Sequence, residues 1–273
     1  MKDIAEQLRF TPRSIGAPGH AKTIDYISSE LAKIDVGVET QRFSDSAGSE
    51  GHLDLTNVVA RISPLNLHRI IVATHYDSIV RAYRDPKTPE APMPGANNSA
   101  SGVAVLLETA RALSSLPAPP VGVDLVFFDG EEGPKSLGAG DPQWRALGSP
   151  YFADHLNEFY PDQKPEAGVV FDMVCYRDLR LKPEVSSLAT ARAQVEKFWN
   201  IGAEVAPTIF VQTPTIGPIG DDQVALTAAG IPSFLVIDFE YEPWFNTSMD
   251  TLDRCSAGSL DAVGHTLLRF LYQ

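Results

Sequence analysis

The run RIIVATHYDS at residues 69–78 decides how the rest of the chain is read. Arg69 to Thr74 carries too little polarity to lie half exposed, so it predicts a strand buried on both faces, the pattern of a parallel sheet. His75 and Asp77 stand immediately beyond it. The arrangement recurs twice: VGVDLVFF (121–128) leads into Asp129, Glu131 and Glu132, and AGVVF (167–171) leads into Asp172. An ionised group at the end of a buried strand is costly unless it is paired or bound to metal. Any one of these residues reads equally well as a helix cap. Three strand ends of this kind together point to a shared site.

Working outward, Asn57 to Ile62, Ala167 to Val174 and Pro232 to Ile237 read as further strands. Residues 20–34 predict a helix, with Ile24, Ile27, Leu31 and Ile34 at helical spacing after the Pro18-Gly19 turn. Gly102 to Leu113 predicts a buried helix carrying Val103, Leu106, Leu107, Ala110 and Leu113, with Ser99 or Ser101 as its cap. Ser256 to Tyr272 predicts a closing amphipathic helix. Alternating strands and helices imply an α/β fold, a three-layer α/β/α sandwich around a mostly parallel twisted sheet. Residues 80–95 and 133–147 are rich in Pro and Gly and read as long loops at the strand ends, where open α/β sheets place their ligands. With no internal repeat or low-complexity linker, residues 1–273 are expected to form one domain.

Hydrophobic residues make up 44% of the 273, enough for a substantial core. The formal charge of −13 argues against nucleic acid or an anionic membrane surface as partner. No apolar stretch approaches the roughly 18 residues of a membrane span, so a soluble protein is expected. The opening MKDIAEQLRF has no apolar signal core; it begins a cytoplasmic protein or follows a removed leader. Cys175 and Cys255 lack metal-ligand spacing. Cys175 is expected as a buried thiol, with a bridge between the two left open. His20 reads as a surface or helix-start residue, and His52, His68, His155 and His265 as structural or exposed. Trp199 reads as core, and Asp250 as the organiser of the turn after Asn246. Ser99 and Ser101 lack an adjacent histidine and are not read as nucleophiles.

Six runs in order carry a resemblance: ATHYDS (73–78), PGANNSASGVAVLLE (94–108), FFDGEE (127–132), GVVFDMV (168–174), IGDDQVAL (219–226) and WFNTSMDT (244–251). Together they resemble the M28 zinc metallopeptidase family, most closely its glutaminyl-peptide cyclotransferase branch, from near Gly16 to the C-terminus. The resemblance implies zinc as cofactor, Glu131 as general acid/base and Glu132 as a zinc ligand. In the dizinc aminopeptidases it implies His75 and Asp172 as ligands of a second metal, with Asp77 orienting the histidine. In the single-zinc cyclases Asp172 and Asp222 instead belong to a proton-shuttling carboxylate network. Phe245 stands where cyclases commonly place a pocket tryptophan, and Trp144, in the 133–147 loop, is a second pocket candidate.

The sequence departs from this pattern at two ligand positions. Asn98 stands where the family has aspartate and Asn246 where it has histidine; Gln223 also replaces a histidine. Zinc favours carboxylate, imidazole and thiolate, and a neutral amide oxygen is a weaker ligand. Of the cyclase trio only Glu132 remains, so the zinc site is expected to be weak or lost. A partial site of His75, Asp172 and the Asn98 carbonyl, with Glu132 in reach, stays open as a loose metal position. The expected function is a cyclotransferase-like reaction at peptide N-termini, forming pyroglutamate or making a related intramolecular aminoacyl transfer. The alternatives are an M28 aminopeptidase with weak or altered metal and a silent homologue binding small amine-bearing ligands.

Overall fold

In the computed structural model, which describes residues 1–46, 52–133 and 144–273, the elements run α1 (Lys2–Leu8), α2 (Pro18–Ala32), β1 (Val38–Ser46), β2 (His52–Ile62), β3 (Arg69–His75), α3 (Ala100–Ser115), β4 (Gly122–Phe128), α4 (Gly148–Asp154), β5 (Ala167–Asp172), α5 (Val185–Thr190), α6 (Arg192–Val205), α7 (Gln223–Ala228), β6 (Ser233–Ile237) and α8 (Ala257–Tyr272). The six strands form one sheet in the order β1-β2-β4-β3-β5-β6. β4, β3, β5 and β6 are parallel, while β2 runs antiparallel to both β4 and β1. The fold is the expected α/β class, with an antiparallel edge hairpin added to the parallel half.

The sheet is covered on both sides, which explains its unbroken apolar strands. Val72, Leu125, Val169 and Phe234 face a core with Leu31 of α2, Leu106 of α3, Phe198 of α6 and Leu267 of α8. Their neighbours Ile71, Val126, Val170 and Leu235 face the other core, with Phe152 of α4, Leu226 of α7 and Tyr241. Side chains alternate between faces along a strand, so two filled layers demand apolar residues at nearly every position. Each fully buried Val, Leu, Ile or Phe contributes roughly 1.5–3 kcal/mol. Trp199 is buried in the first of these cores, as its sequence context implies.

Three local readings change. α3 begins at Ala100, and neither serine caps it by a side-chain hydrogen bond: Ser99 Oγ donates to the Asp77 carbonyl (2.7 Å) and Ser101 Oγ to the Asn97 carbonyl (2.6 Å). Both hydroxyls tie α3 to the strand-end loops. Cys175 is buried but is not a free thiol; it is bonded to Cys255, with Cα atoms 4.7 Å apart. The backbone brings them together, since Tyr176 pairs with Cys255 and Ser256 N donates to the Cys175 carbonyl (2.7 Å). Nothing in a separation of 80 residues announces this in sequence. His20 is buried rather than on the surface, because the first turn of α2 lies over the end of β4, where His20 Nε2 meets Asp129 Oδ1 at 2.7 Å. Most of the predicted 133–147 loop, residues 134–143, lies outside the described residues. Among the described residues no helix is long and apolar enough to cross a membrane.

Candidate active site

Parallel packing of β3, β4 and β5 puts their carboxyl ends side by side, so the residues just beyond each strand must meet. His75 closes β3; its Nε2 lies 3.2 Å from Asp172 Oδ1 at the end of β5, and its Nδ1 lies 3.4 Å from Asp77 Oδ1. Asp77 is fully buried and accepts hydrogen bonds from the backbone N–H of Glu131 (3.1 Å) and of Glu132 (3.2 Å). It thereby fixes the turn after β4 and aims both glutamates. Gly130, at φ +71°, supplies the left-handed step that this turn needs. Behind it, Asp129 is held by His20 and by the N–H of Thr56 (2.7 Å).

Asn98 and Asn246 arrive from other directions. Asp250, fully buried, accepts the backbone N–H groups of Asn97 (2.8 Å) and Asn98 (3.1 Å) and the hydroxyl of Tyr241 (3.0 Å). It organises the turn before α3, beyond its own loop. Asn98 Nδ2 donates to Glu132 Oε1 at 2.8 Å and to Asn246 Oδ1 at 3.3 Å. Asn246 sits at φ +53°, a conformation that asparagine tolerates better than most side chains, and its Nδ2 donates to the Tyr83 hydroxyl at 3.4 Å. Glu132, Asn98, Asn246 and Tyr83 thus form one hydrogen-bonded chain.

These groups open into a cavity of about 730 Å³. Of the residues singled out in sequence, Asn98, Glu131, Glu132, Asp172, Asn246, Trp144 and Phe245 line it. His75, Asp77 and Asp222 do not; they lie behind the wall. Asp222 is fully buried, and its neighbour Asp221 is the aspartate that reaches the cavity. Two adjacent aspartates before α7 offered no sequence signal to separate them. Tyr83 and Arg84 were also missed. The 80–95 loop carries them over the cavity, tied down where Arg84 N donates to the Asn246 carbonyl (3.2 Å). The Arg84 guanidinium lies 5.2 Å from the centre of the Phe245 ring and 2.6 Å from Glu242. The four other histidines lie outside this assembly: His52, His68 and His265 are exposed and His155 is half-buried.

The electrostatics follow from burial. Burial pushes Glu131 well above the usual carboxylate range, and the charge of Asp221 adds to it. Asp221 is likewise held high by burial and by Asp172. Burial lifts Glu132 to about 8 and Asp222 to about 7. Burial would lower His75, but the hydrogen bond to Asp172, the nearby Asp77 carboxylate and the Glu131 charge outweigh it, so the imidazole is held well above its ordinary value. Burial would raise Asp77, yet His75 keeps it below its ordinary value. Burial thus raises the proton affinity of the acids at the cavity, while the carboxylates around His75 raise that of its imidazole.

The model of peptidase family M28 matches residues 57–271. The mouse glutaminyl-peptide cyclotransferase-like protein is 25% identical over 261 residues, covering 88% of this chain and 66% of that protein. The chain spans between about a third and two thirds of the length of the curated relatives it matches. Among solved structures, Tannerella forsythia glutaminyl cyclase superposes with a TM-score of 0.90 at 30% identity, covering 100% of this chain and 96% of that one. A Zn-dependent exopeptidase from Parabacteroides distasonis superposes with a TM-score of 0.91 at 28% identity, with the same coverage. The family match begins within β2 and ends in α8, so it takes in every strand end that builds the cavity. This chain belongs to peptidase family M28.

Proposed function

We propose that the chain acts on peptide N-termini as a glutaminyl-cyclase-like transferase whose family zinc position no longer suits zinc. The observation that carries the reading is the placement of Glu131. Its carboxyl lines the cavity beside Asp172 and Asp221 while its backbone is fixed by Asp77. In ring closure the α-amine nitrogen of an N-terminal glutamine attacks the side-chain carbonyl carbon. A C–N bond forms, the C–NH2 bond breaks and ammonia leaves. Glu131 accepts the proton the amine loses and returns it to the departing nitrogen. Asp172 and Asp221 keep that proton within the acid cluster. The nucleophile and carbonyl belong to one side chain, so holding them in contact supplies much of the acceleration.

Zinc bound at the family position would polarise the substrate carbonyl. The residues present do not fit it. Asn98 turns its Nδ2 toward Glu132 and Asn246, offering hydrogens where a cation needs lone pairs, and its Oδ1 is buried without a partner. One carboxylate and two amides are a poor donor set for zinc. Cyclisation needs no activated water, whereas hydrolysis by an aminopeptidase does, and this difference favours the cyclase reading of the family over the peptidase one. A second reading, a protein that binds amines without turnover, is supported by five acids lining one cavity: Glu131, Glu132, Asp172, Asp221 and Glu242.

The test is incubation with peptides bearing N-terminal glutamine and with a panel of N-terminal aminoacyl substrates, with and without added zinc, followed by mass. The expected result is loss of ammonia from the glutamine peptides alone. Glu131→Gln should abolish it, because an amide cannot accept the proton. Metal-independent hydrolysis of aminoacyl peptides would contradict the reading. Turnover that survives Glu131→Gln would remove Glu131 from its role. Retained binding of amine-bearing peptides without any turnover would favour the second reading.

A further inference from the structure

We propose that His20 is a positioning residue of this site: its imidazole clamps Asp129, the first residue of the turn that carries Glu131, and stacks on Tyr76, the residue between His75 and Asp77. His20 stands in the first turn of α2, is buried and is absent from the cavity wall. Its Nε2 lies 2.7 Å from Asp129 Oδ1. A carboxylate can only accept, so Nε2 carries the hydrogen of this bond. A hydrogen bond to an ionised partner is stronger than a neutral one. The ring lies over that of Tyr76, with centroids 5.5 Å apart and planes 28° apart. The helix start is itself fixed in place, because Gly19 packs bare backbone against the Phe10 carbonyl, which a Cβ would strike.

Asp129 and Tyr76 pass this constraint to two strand ends of the site. Asp129 is fully buried between β4 and β2: its Oδ2 accepts the N–H of Thr56 (2.7 Å), and its own N–H donates to Asn57 Oδ1 (3.0 Å). Its Oδ1 takes the imidazole hydrogen, and removing that hydrogen would leave a buried carboxylate short of a partner. Tyr76 ties the end of β3 to the same place. Its N–H donates to the Phe128 carbonyl (3.1 Å) and its hydroxyl to the Thr56 carbonyl (2.8 Å). Glu131 lies two residues beyond Asp129, and Asp77, next to Tyr76, holds the N–H groups of Glu131 and Glu132. The Asp77 bonds set where those two N–H groups point, and the His20 clamp sets where their turn starts. His20 thus braces both strand ends and acts on substrate only through them.

The kinetic consequence rests on the cyclotransferase reading; the structural one does not. Two full-chain variants are compared with the wild type: His20→Phe, which keeps a ring for Tyr76 but has no hydrogen to donate, and His20→Gln, which keeps a donor. The readouts are hydrogen exchange at the amides of residues 129, 131 and 132 against those of β5, and the rate of ammonia loss from a glutamine peptide. In His20→Phe the three amides should lose protection about tenfold or more beyond any change in β5. kcat should fall on the order of a hundredfold, the effect of displacing a catalytic group by about 1 Å. KM should stay within about threefold, the sign of lost alignment rather than lost binding. His20→Gln should restore most of both. Wild-type kcat or wild-type protection in His20→Phe, loss spread evenly through β5, or equal impairment of the two variants would overturn the proposal. If His20→Phe fails to fold, Asp129→Asn, which keeps the shape of the carboxyl and weakens the same bond, takes its place. Selective loss of protection at residues 131 and 132 then supports the clamp, and wild-type protection there refutes it. A wild-type chain without turnover would sink the cyclotransferase reading and leave the exchange result to judge His20.

Discussion

Gly102 shows how closely single residues control this site. A Cβ there would meet Thr74 Oγ1 at 2.0 Å and the Phe171 carbonyl at 2.8 Å, the residues just before His75 and Asp172. Gly102→Ala should therefore push α3 off the sheet and separate the His75–Asp172 pair, at a cost of about 1–3 kcal/mol. Urea denaturation checks this, and a loss below about 0.5 kcal/mol, the range of a neutral surface substitution, would show that the contact yields freely. Legibility at this scale depended on context. His75, Glu131, Glu132 and Asp172 were readable because a charged residue straight after a buried strand has few innocent explanations. Asn98 and Asn246 carried meaning only through the resemblance, since an asparagine in a loop announces nothing by itself. His20 and Arg13 were hidden because their partners, Asp129 and the Gly95 carbonyl, are distant in sequence.

Among the elements, β3 to β6 were legible because both their faces are filled, and α3 and α8 because their apolar residues recur at helical spacing. β1 was not. Gln41 is its one buried residue, so VETQRFSDS shows no apolar run. α6 was also missed, although Val195, Phe198, Trp199 and Gly202 make one buried stripe, because its exposed positions dilute the signal. β4 hides a different feature. Asp124 is fully buried in mid-strand, held by Arg69 Nε (2.7 Å) and Nη2 (2.6 Å), Arg61 Nε (3.1 Å) and the Tyr160 hydroxyl (2.9 Å). Arg69→Met would leave that carboxylate short of its main partner inside the sheet and should cost about 3–5 kcal/mol. A change under about 1 kcal/mol, the typical worth of an exposed pair, would mean that Arg61 and Tyr160 suffice.

At the scale of the whole molecule, this M28 chain gathers the acids of its strand ends and the asparagines of two loops at one cavity. The Cys175–Cys255 bond joins the loop after β5 to the segment just before α8. The most direct test is the zinc content of protein purified without chelator, measured beside the double variant Asn98→Asp/Asn246→His. The unmodified chain should hold well below one equivalent, and the variant should hold about one, because the pair returns a carboxylate and an imidazole beside Glu132. One tightly bound zinc in the unmodified chain, unchanged by the two substitutions, would contradict the reading of this site.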